Sequence, residues 1–364
     1  CQNVPSTHLF TSWLQKLADY AKERELYRGG PLINEELLHN EEAKTSERVQ
    51  AIEAAFTALS TERIPSTVFT LKDAVKELVA HLEWKNDNPN HQGILSGMKD
   101  YDERIGGYNG GEMIVIAGTP GSGKTTFGMQ IVREACTHGK RAMVFSLEMP
   151  KVQLAQRMIA ASHTIPLNAF KDNSVYQNPE HSVKLGPAIV HSAKMDMVID
   201  DQGGLDILDL KTRARIVHRE KKLDVILIDY LQLLNDKRHK DRFQVVSSVS
   251  REIKALSKEL NCPVIALSQL NRAIMNRTDK RPQLSDLRES GQIEQDADVI
   301  TFLFRESLFN EDCQNQNAVE IITRKFRDGE TGVDYAEFQG QYNRFINTQW
   351  KPDPVQNNSG GWGG

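Results

Sequence analysis

The sequence predicts an α/β fold, a mostly parallel sheet with helices on both faces, preceded by a small helical remnant and a linker helix. Three observations predict it. From about residue 93, short apolar runs alternate with amphipathic stripes at helical spacing. The run 113–117 feeds a glycine-rich turn that ends in a lysine and two threonines, the strand–loop–helix order of an α/β phosphate site. The last apolar runs have no helices between them, so the sheet should close with an antiparallel extension.

Residues 1–65 read as the helical remnant of an N-terminal domain. Phe10, Leu14, Leu17 and Ala21 recur at helical spacing, as do Val49, Ile52, Phe56 and Leu59 after a cap at Ser46. A helical hairpin of this size has little core, so it is expected to pack on something absent or on another subunit. The first residue is Cys1, not methionine, and the expectation is a fragment whose N-terminus lies upstream.

Residues 66–92 form the linker. Leu71, Val75, Leu78 and Leu82 make an amphipathic stripe, Thr70 is the cap and Asp73 stands three residues later. The polar, turn-rich segment 86–90 follows. The apolar face packs either on its own domain or on a neighbouring protomer, and the sequence leaves both open.

Residues 93–351 form the α/β domain. Its strands are expected at 113–117, 142–146, 197–199, 225–228, 264–267 and 299–304. Between them run helical stripes such as Ile207, Leu210, Ala214, Val217 and Val246, Val249, Ile253, Leu256, Leu260. Runs at 318–323 and 333–338 supply the antiparallel hairpins. The tail 352–364, rich in Pro, Asn, Ser and Gly, reads as disordered.

With 364 residues there is room for two or three domains, and a net charge of −4 confines any nucleic-acid binding to local patches. Cys1, Cys136, Cys262 and Cys313 are scattered with no CxxC pair, which points to a reducing compartment without a disulfide framework or a zinc site. No apolar run approaches the length of a membrane span and no signal peptide is visible. A soluble, cytoplasmic protein is expected.

The chemistry is concentrated in the loop Gly118, Thr119, Pro120, Gly121, Ser122, Gly123, Lys124, Thr125 and Thr126. Glycines let the backbone curl so that its N–H groups face phosphates. Lys124 adds a charge near the β- and γ-phosphates, Thr125 offers a hydroxyl to Mg²⁺, and a helix N-terminus faces the anion. The pattern is that of the phosphate loop of nucleoside triphosphatases, with an incidental glycine loop as the alternative. The run 225–228 ends in Asp229, a carboxylate suited to organising Mg²⁺. Parallel strands carry active residues at their C-terminal ends, so Asp229 should converge on the loop. The run 142–146 leads to Glu148, placed to orient or deprotonate an attacking water; a carboxylate drawn to a helix start before Pro150 is the alternative. The run 264–267 leads to Gln269, an amide able to sense the γ-phosphate.

In order along the chain, GTPGSGKT, SLEM, LIDYLQLL, LSQLNR and DLRESGQIEQDAD resemble the hexameric DnaB-type replicative helicases, whose motor is a RecA-like domain. The resemblance covers roughly residues 65–350, and the segments 286–298, SLEM and DYLQL are more discriminating than the phosphate loop. It implies Lys124 and Thr125 at phosphate and Mg²⁺, Glu148 as catalytic base, Asp229 as Mg²⁺ carboxylate and Gln269 as sensor. It also implies a basic pair, Lys325 and Arg327, that reaches a neighbouring subunit's ATP. Phe326 stands between them where family members often carry a polar residue. An ordinary solvated basic hairpin is the alternative.

Two stretches are locally basic. Lys237, Arg238, His239, Lys240 and Arg242 follow the Asp229 strand; Arg272, Arg277, Lys280, Arg281 and Arg288 follow Gln269. Lining a ring's channel, they would track phosphates without reading sequence. The resemblance assigns backbone contacts mainly to Arg288, Glu289 and Gly291. Aromatics are sparse there, with Phe243 nearby, so base stacking is not the expected mode. The stripe Arg251, Lys254 and Lys258 reads as a solvated helix face.

The resulting expectation is an ATP- and Mg²⁺-dependent homo-hexameric ring on single-stranded DNA that excludes the other strand. By resemblance it moves 5′ to 3′ and meets a primase and a helicase loader. The alternatives are a RecA-like DNA-binding ATPase without unwinding and a scaffold subunit without catalysis; intact Lys124, Glu148 and Asp229 speak against the last.

Overall fold

The computed structural model describes residues 70–87, 93–287 and 291–352. The expected hairpin in 1–65 and the tail from 353 onward lie outside the described residues. Two units divide the chain, Cys1–Asn90 and His91–Gly364.

In the first unit, helix α1 spans Leu71–Asp87. Its start is the reciprocal cap read from sequence: Asp73 N–H donates to Thr70 Oγ1 at 3.3 Å, and Thr70 N–H donates to Asp73 Oδ2 at 3.2 Å. The stripe Leu71, Val75, Leu78 and Leu82 is exposed along its length, 48% at its most covered position.

The second unit opens with α2 (Lys99–Ile105) and β1 (Met113–Gly118), and α3 (Lys124–Thr137) follows the glycine loop. Next come β2 (Ala142–Ser146) and four helices, α4 (Lys151–His163), α5 (Leu167–Lys171), α6 (Ser174–Gln177) and α7 (Pro179–Ala193). Then β3 (Met197–Asp200), α8 (Ile207–Glu220), β4 (Val225–Asp229), α9 (Arg242–Leu260) and β5 (Val264–Gln269) alternate. The chain continues through α10 (Gly291–Asp296), β6 (Val299–Phe304), β7 (Ala318–Phe326), β8 (Gly332–Gln339) and β9 (Arg344–Asn347).

One nine-stranded sheet runs in the order β3-β2-β4-β5-β1-β6-β7-β8-β9. Pairings from β3 through β6 are parallel, and those from β6 to β9 are antiparallel. The expected mixed architecture is therefore present. Strand ends reach further than the apolar runs, because polar residues such as Asp229 and Gln269 continue the ladder past the core.

Side-chain alternation sorts the sheet into two layers. Met113, Val115 and Ala117 face one core with Ile207 and Leu210 of α8 and Val249, Ile253 and Leu256 of α9. Ile114 and Ile116 face the other with Phe127 and Ile131 of α3 and Tyr101 of α2. The helices α4–α7 build a separate small core around Ile165, Ala169, Val175, Leu185 and Ala188.

One expectation is corrected. Lys254 is not on a solvated face: its Nζ donates to Asp298 Oδ2 at 2.6 Å and to the Gly111 carbonyl at 2.8 Å. Its side chain is 13% exposed. The charge sits at a helix edge that packs against the β1 approach, where helical periodicity cannot separate a solvated lysine from a paired one.

Candidate nucleotide site

Register brings the strand ends together. Gly118 pairs with Gln269 across β1 and β5, and Ser146 pairs with Asp229 across β2 and β4. Parallel pairing lines up these C-terminal ends, so the four segments open onto one cavity of about 520 Å³. Lys124, Thr125, Thr126, Glu148, Asp229 and Gln269 all line it. The residues read separately along the chain thus share one wall.

The loop needs its glycines at particular positions. Gly123 has φ +95°, and a Cβ there would lie 2.7 Å from Phe345 Cζ. Lys124 Nζ donates to the Gly118 and Thr119 carbonyls at 2.9 and 3.0 Å, which closes the loop on itself. Burial pushes the Lys124 ammonium down to about 8, with Asp229 and Glu148 pulling the other way. Thr126 is on the cavity wall, yet its hydroxyl donates to Asn343 Oδ1 at 2.8 Å, so it ties the loop helix to the end of the sheet.

Asp229 is 3% exposed, and burial raises its carboxyl above the ordinary range while hydrogen bonding with Thr125 opposes the shift. Among the described residues its Oδ2 has no hydrogen-bond partner, nor does the buried Ser122 Oγ. A buried, unpaired carboxylate oxygen beside a threonine hydroxyl is the hard-oxygen donor set that a magnesium ion takes, so these residues fit that group.

Three participants escaped the sequence reading. Arg157 of α4 lines the cavity; burial lowers its guanidinium, and Asp229 and Glu148 oppose that shift. Nothing local marks it, because its helix belongs to the α4–α7 insertion. Gln232 fixes the end of β5: its Nε2 donates to Ser268 Oγ at 2.9 Å, and its Oε1 accepts the Gln269 N–H at 3.2 Å. It lies inside the LIDYLQLL segment, which was the available signal. Asn343, in the left-handed conformation at φ 52°, comes from the strand end that the apolar pattern did not show.

The basic residues divide. Arg238 Nη2 lies 2.8 Å from Asp236 and 3.0 Å from Glu252, and Lys211 also bonds Glu252. Arg242 donates to the Gln232 and Leu234 carbonyls. Arg277 pairs with Asp286 and Arg281 with Glu320. These arginines hold their loops together. Lys237 and Lys240 are exposed and pair with no acid among the described residues. Arg288 and Glu289 lie outside the described residues, and Gly291 begins α10. Lys325 and Arg327 are brought side by side, both donating to the Gln295 carbonyl.

A family model described as the DnaB-like helicase C-terminal domain matches residues 93–347. The replicative DNA helicase DnaB of Geobacillus stearothermophilus is 36% identical over 290 residues, covering 79% of this chain and 63% of that protein. The DnaB of Pasteurella multocida is 34% identical over 355 residues, covering 95% of this chain and 76% of that protein. The chain spans 61–63% of the length of three such relatives. A solved ATPase domain aligns with a TM-score of 0.72 at 34% identity, over 77% of this chain and 99% of that one. A solved DnaB-like replicative helicase, whose structure concerns its interactions with primase, aligns at 0.70 and 30% identity over 95% of this chain and 81% of its own. The family model spans well over half of the chain, and the chain belongs to the DnaB-like helicase C-terminal domain family.

Proposed function

We propose that this chain carries the motor of an ATP-dependent replicative DNA helicase, a homo-hexameric ring that translocates on single-stranded DNA, 5′ to 3′, and unwinds by excluding the other strand. The observation that carries it is the convergence of Lys124, Thr125, Glu148, Asp229 and Gln269 on one cavity. A primase and a helicase loader are the partners proposed. The bacterial relatives and the reducing-type cysteine usage support a cytoplasmic setting.

ATP enters as substrate with its phosphates on the loop amides. Lys124 leaves the Gly118 and Thr119 carbonyls for the β- and γ-phosphates, exchanging two neutral acceptors for charged ones. Thr125 and Asp229 would hold a magnesium ion, which would supply neutralisation of the charge that develops on the phosphates. Glu148 orients the attacking water and accepts its proton. Arg157 balances the two carboxylates across the cavity and is within the site to meet phosphate charge. Gln269 registers the γ-phosphate, and Gln232 passes its movement to the segment leading to Lys237 and Lys240. Lys325 and Arg327 act on the neighbour's nucleotide, which makes hydrolysis depend on assembly.

The test is ATP hydrolysis against protein concentration, with and without single-stranded DNA, beside strand displacement on a 5′-tailed fork. Steep concentration dependence, DNA stimulation and displacement are expected. Hydrolysis indifferent to both concentration and DNA would overturn the ring motor in favour of a switch ATPase.

A further inference from the structure

Asp298 joins three elements behind the basic pair. Its Oδ2 accepts the Met113 N–H at 2.7 Å, at the start of β1, and Lys254 Nζ of α9 at 2.6 Å. Its Oδ1 lies 3.3 Å from Arg327 Nη1, and its carbonyl accepts the Arg327 N–H at 3.0 Å. Arg327 Nη2 donates to the Gln295 carbonyl at 2.9 Å, and Lys325 Nζ donates to the carbonyls of Glu294 and Gln295. Both basic side chains therefore rest on the last carbonyls of α10, the helix end that favours cations. Ser250 of α9 steadies that end by donating to Asp296 Oδ2 at 2.7 Å.

The strand is built to deliver them there. Thr301 faces Thr323 but Ile300 faces Lys325, so Arg324 is an extra residue in β7. Ile300 belongs to the same core layer as Ile293 of α10. The bulge thus turns Lys325, not Arg324, toward α10. Phe326 packs into the opposite layer, which explains an apolar residue between two basic ones. Lys254 already balances the Asp298 charge, so Arg327 is oriented without being neutralised and remains 48% exposed.

We propose that Asp298 is a positioning residue for the neighbouring subunit's nucleotide: through Arg327, and with the Glu294 and Gln295 carbonyls, it fixes the basic pair in the geometry that meets the phosphates across the interface. This rests on the trans role proposed above for Lys325 and Arg327. The other possibility is that Asp298 serves only its own phosphate loop, through Met113 and β1.

Single-turnover ATP hydrolysis in mixed assemblies of the full chain separates the two. Asp298→Asn should slow hydrolysis on the order of tenfold to a hundredfold, the effect of losing orientation, with nucleotide affinity held within about twofold. Mixed with Lys124→Ala, it should regain a fast phase, because its intact loop then faces an intact Arg327. No fast phase on mixing overturns the proposal. The control pair Arg327→Ala with Lys124→Ala tests the underlying reading. A fast phase in the control alone removes Asp298 and leaves the trans role standing; a fast phase in neither removes both. Lys254→Met/Asp298→Asn leaves no unpaired buried charge and should behave as Asp298→Asn does, even if the single variant folds poorly.

Discussion

Lys124 and Arg157 show how one cavity sets the behaviour of single residues. With its ammonium lowered to about 8 against an ordinary 10.5, Lys124 loses its proton in the free fold as pH rises through about 8. The unfolded chain still binds that proton, so between about 8 and 10.5 this group makes the fold more stable as pH rises. Phosphates favour the charged form, so nucleotide binding in that window should take up a proton and weaken by up to about tenfold per pH unit. Calorimetry in buffers of different ionisation enthalpy reads the uptake directly; binding at pH 9 with no proton uptake would refute it. Arg157→Ala removes the cation facing Asp229 and Glu148, and hydrolysis should fall on the order of a hundredfold or more while the fold is retained. Steady-state hydrolysis beside a thermal melt checks this, and unchanged turnover would take Arg157 out of the chemistry.

At the scale of elements, the basic stretch after β4 is two things in one segment. Arg238 is anchored by Asp236 and Glu252, which holds the Asp236 carboxyl well below the usual range, whereas Lys237 and Lys240 are exposed and unpaired by acids among the described residues. The double change Lys237→Ala/Lys240→Ala should reduce the slope of log affinity for single-stranded DNA against log salt by about 1.4, two phosphate contacts' worth. Arg238→Ala should leave that slope near its original value and alter binding through loop order. A slope that falls with Arg238 but not with the lysines would reverse the assignment. The loop–helix junction is equally specific. Gly123→Ala meets both a positive φ and the Phe345 ring, and the strain alone costs ~1–3 kcal/mol.

For the molecule as a whole, α1 poses the assembly question. Its stripe of leucine and valine is exposed, though the cap and periodicity are those of a helix made to bury one face. Under the ring reading a neighbouring subunit covers it. Leu78→Asp should then raise the protein concentration needed for half-maximal hydrolysis without moving the unfolding temperature of the α/β unit. Equal concentration curves for both proteins would return that face to its own subunit.

The sequence by itself determined the sheet and the residues that line its cavity, because both are written in short-range pattern. Apolar runs of strand length, a glycine-lysine-threonine loop and acids at strand ends are local, and parallel pairing makes their convergence nearly automatic. The five residues Lys124, Thr125, Glu148, Asp229 and Gln269 were legible for that reason. Tertiary structure alone decided what depends on distant partners. Arg157 reaches the cavity from an inserted helix, Lys254 is paired by an aspartate 44 residues away, and Arg238 is spent on Glu252. A charge looks the same in sequence whether solvent or a carboxylate surrounds it. Only the fold fixes which, because burial and pairing are properties of neighbours brought together across the chain.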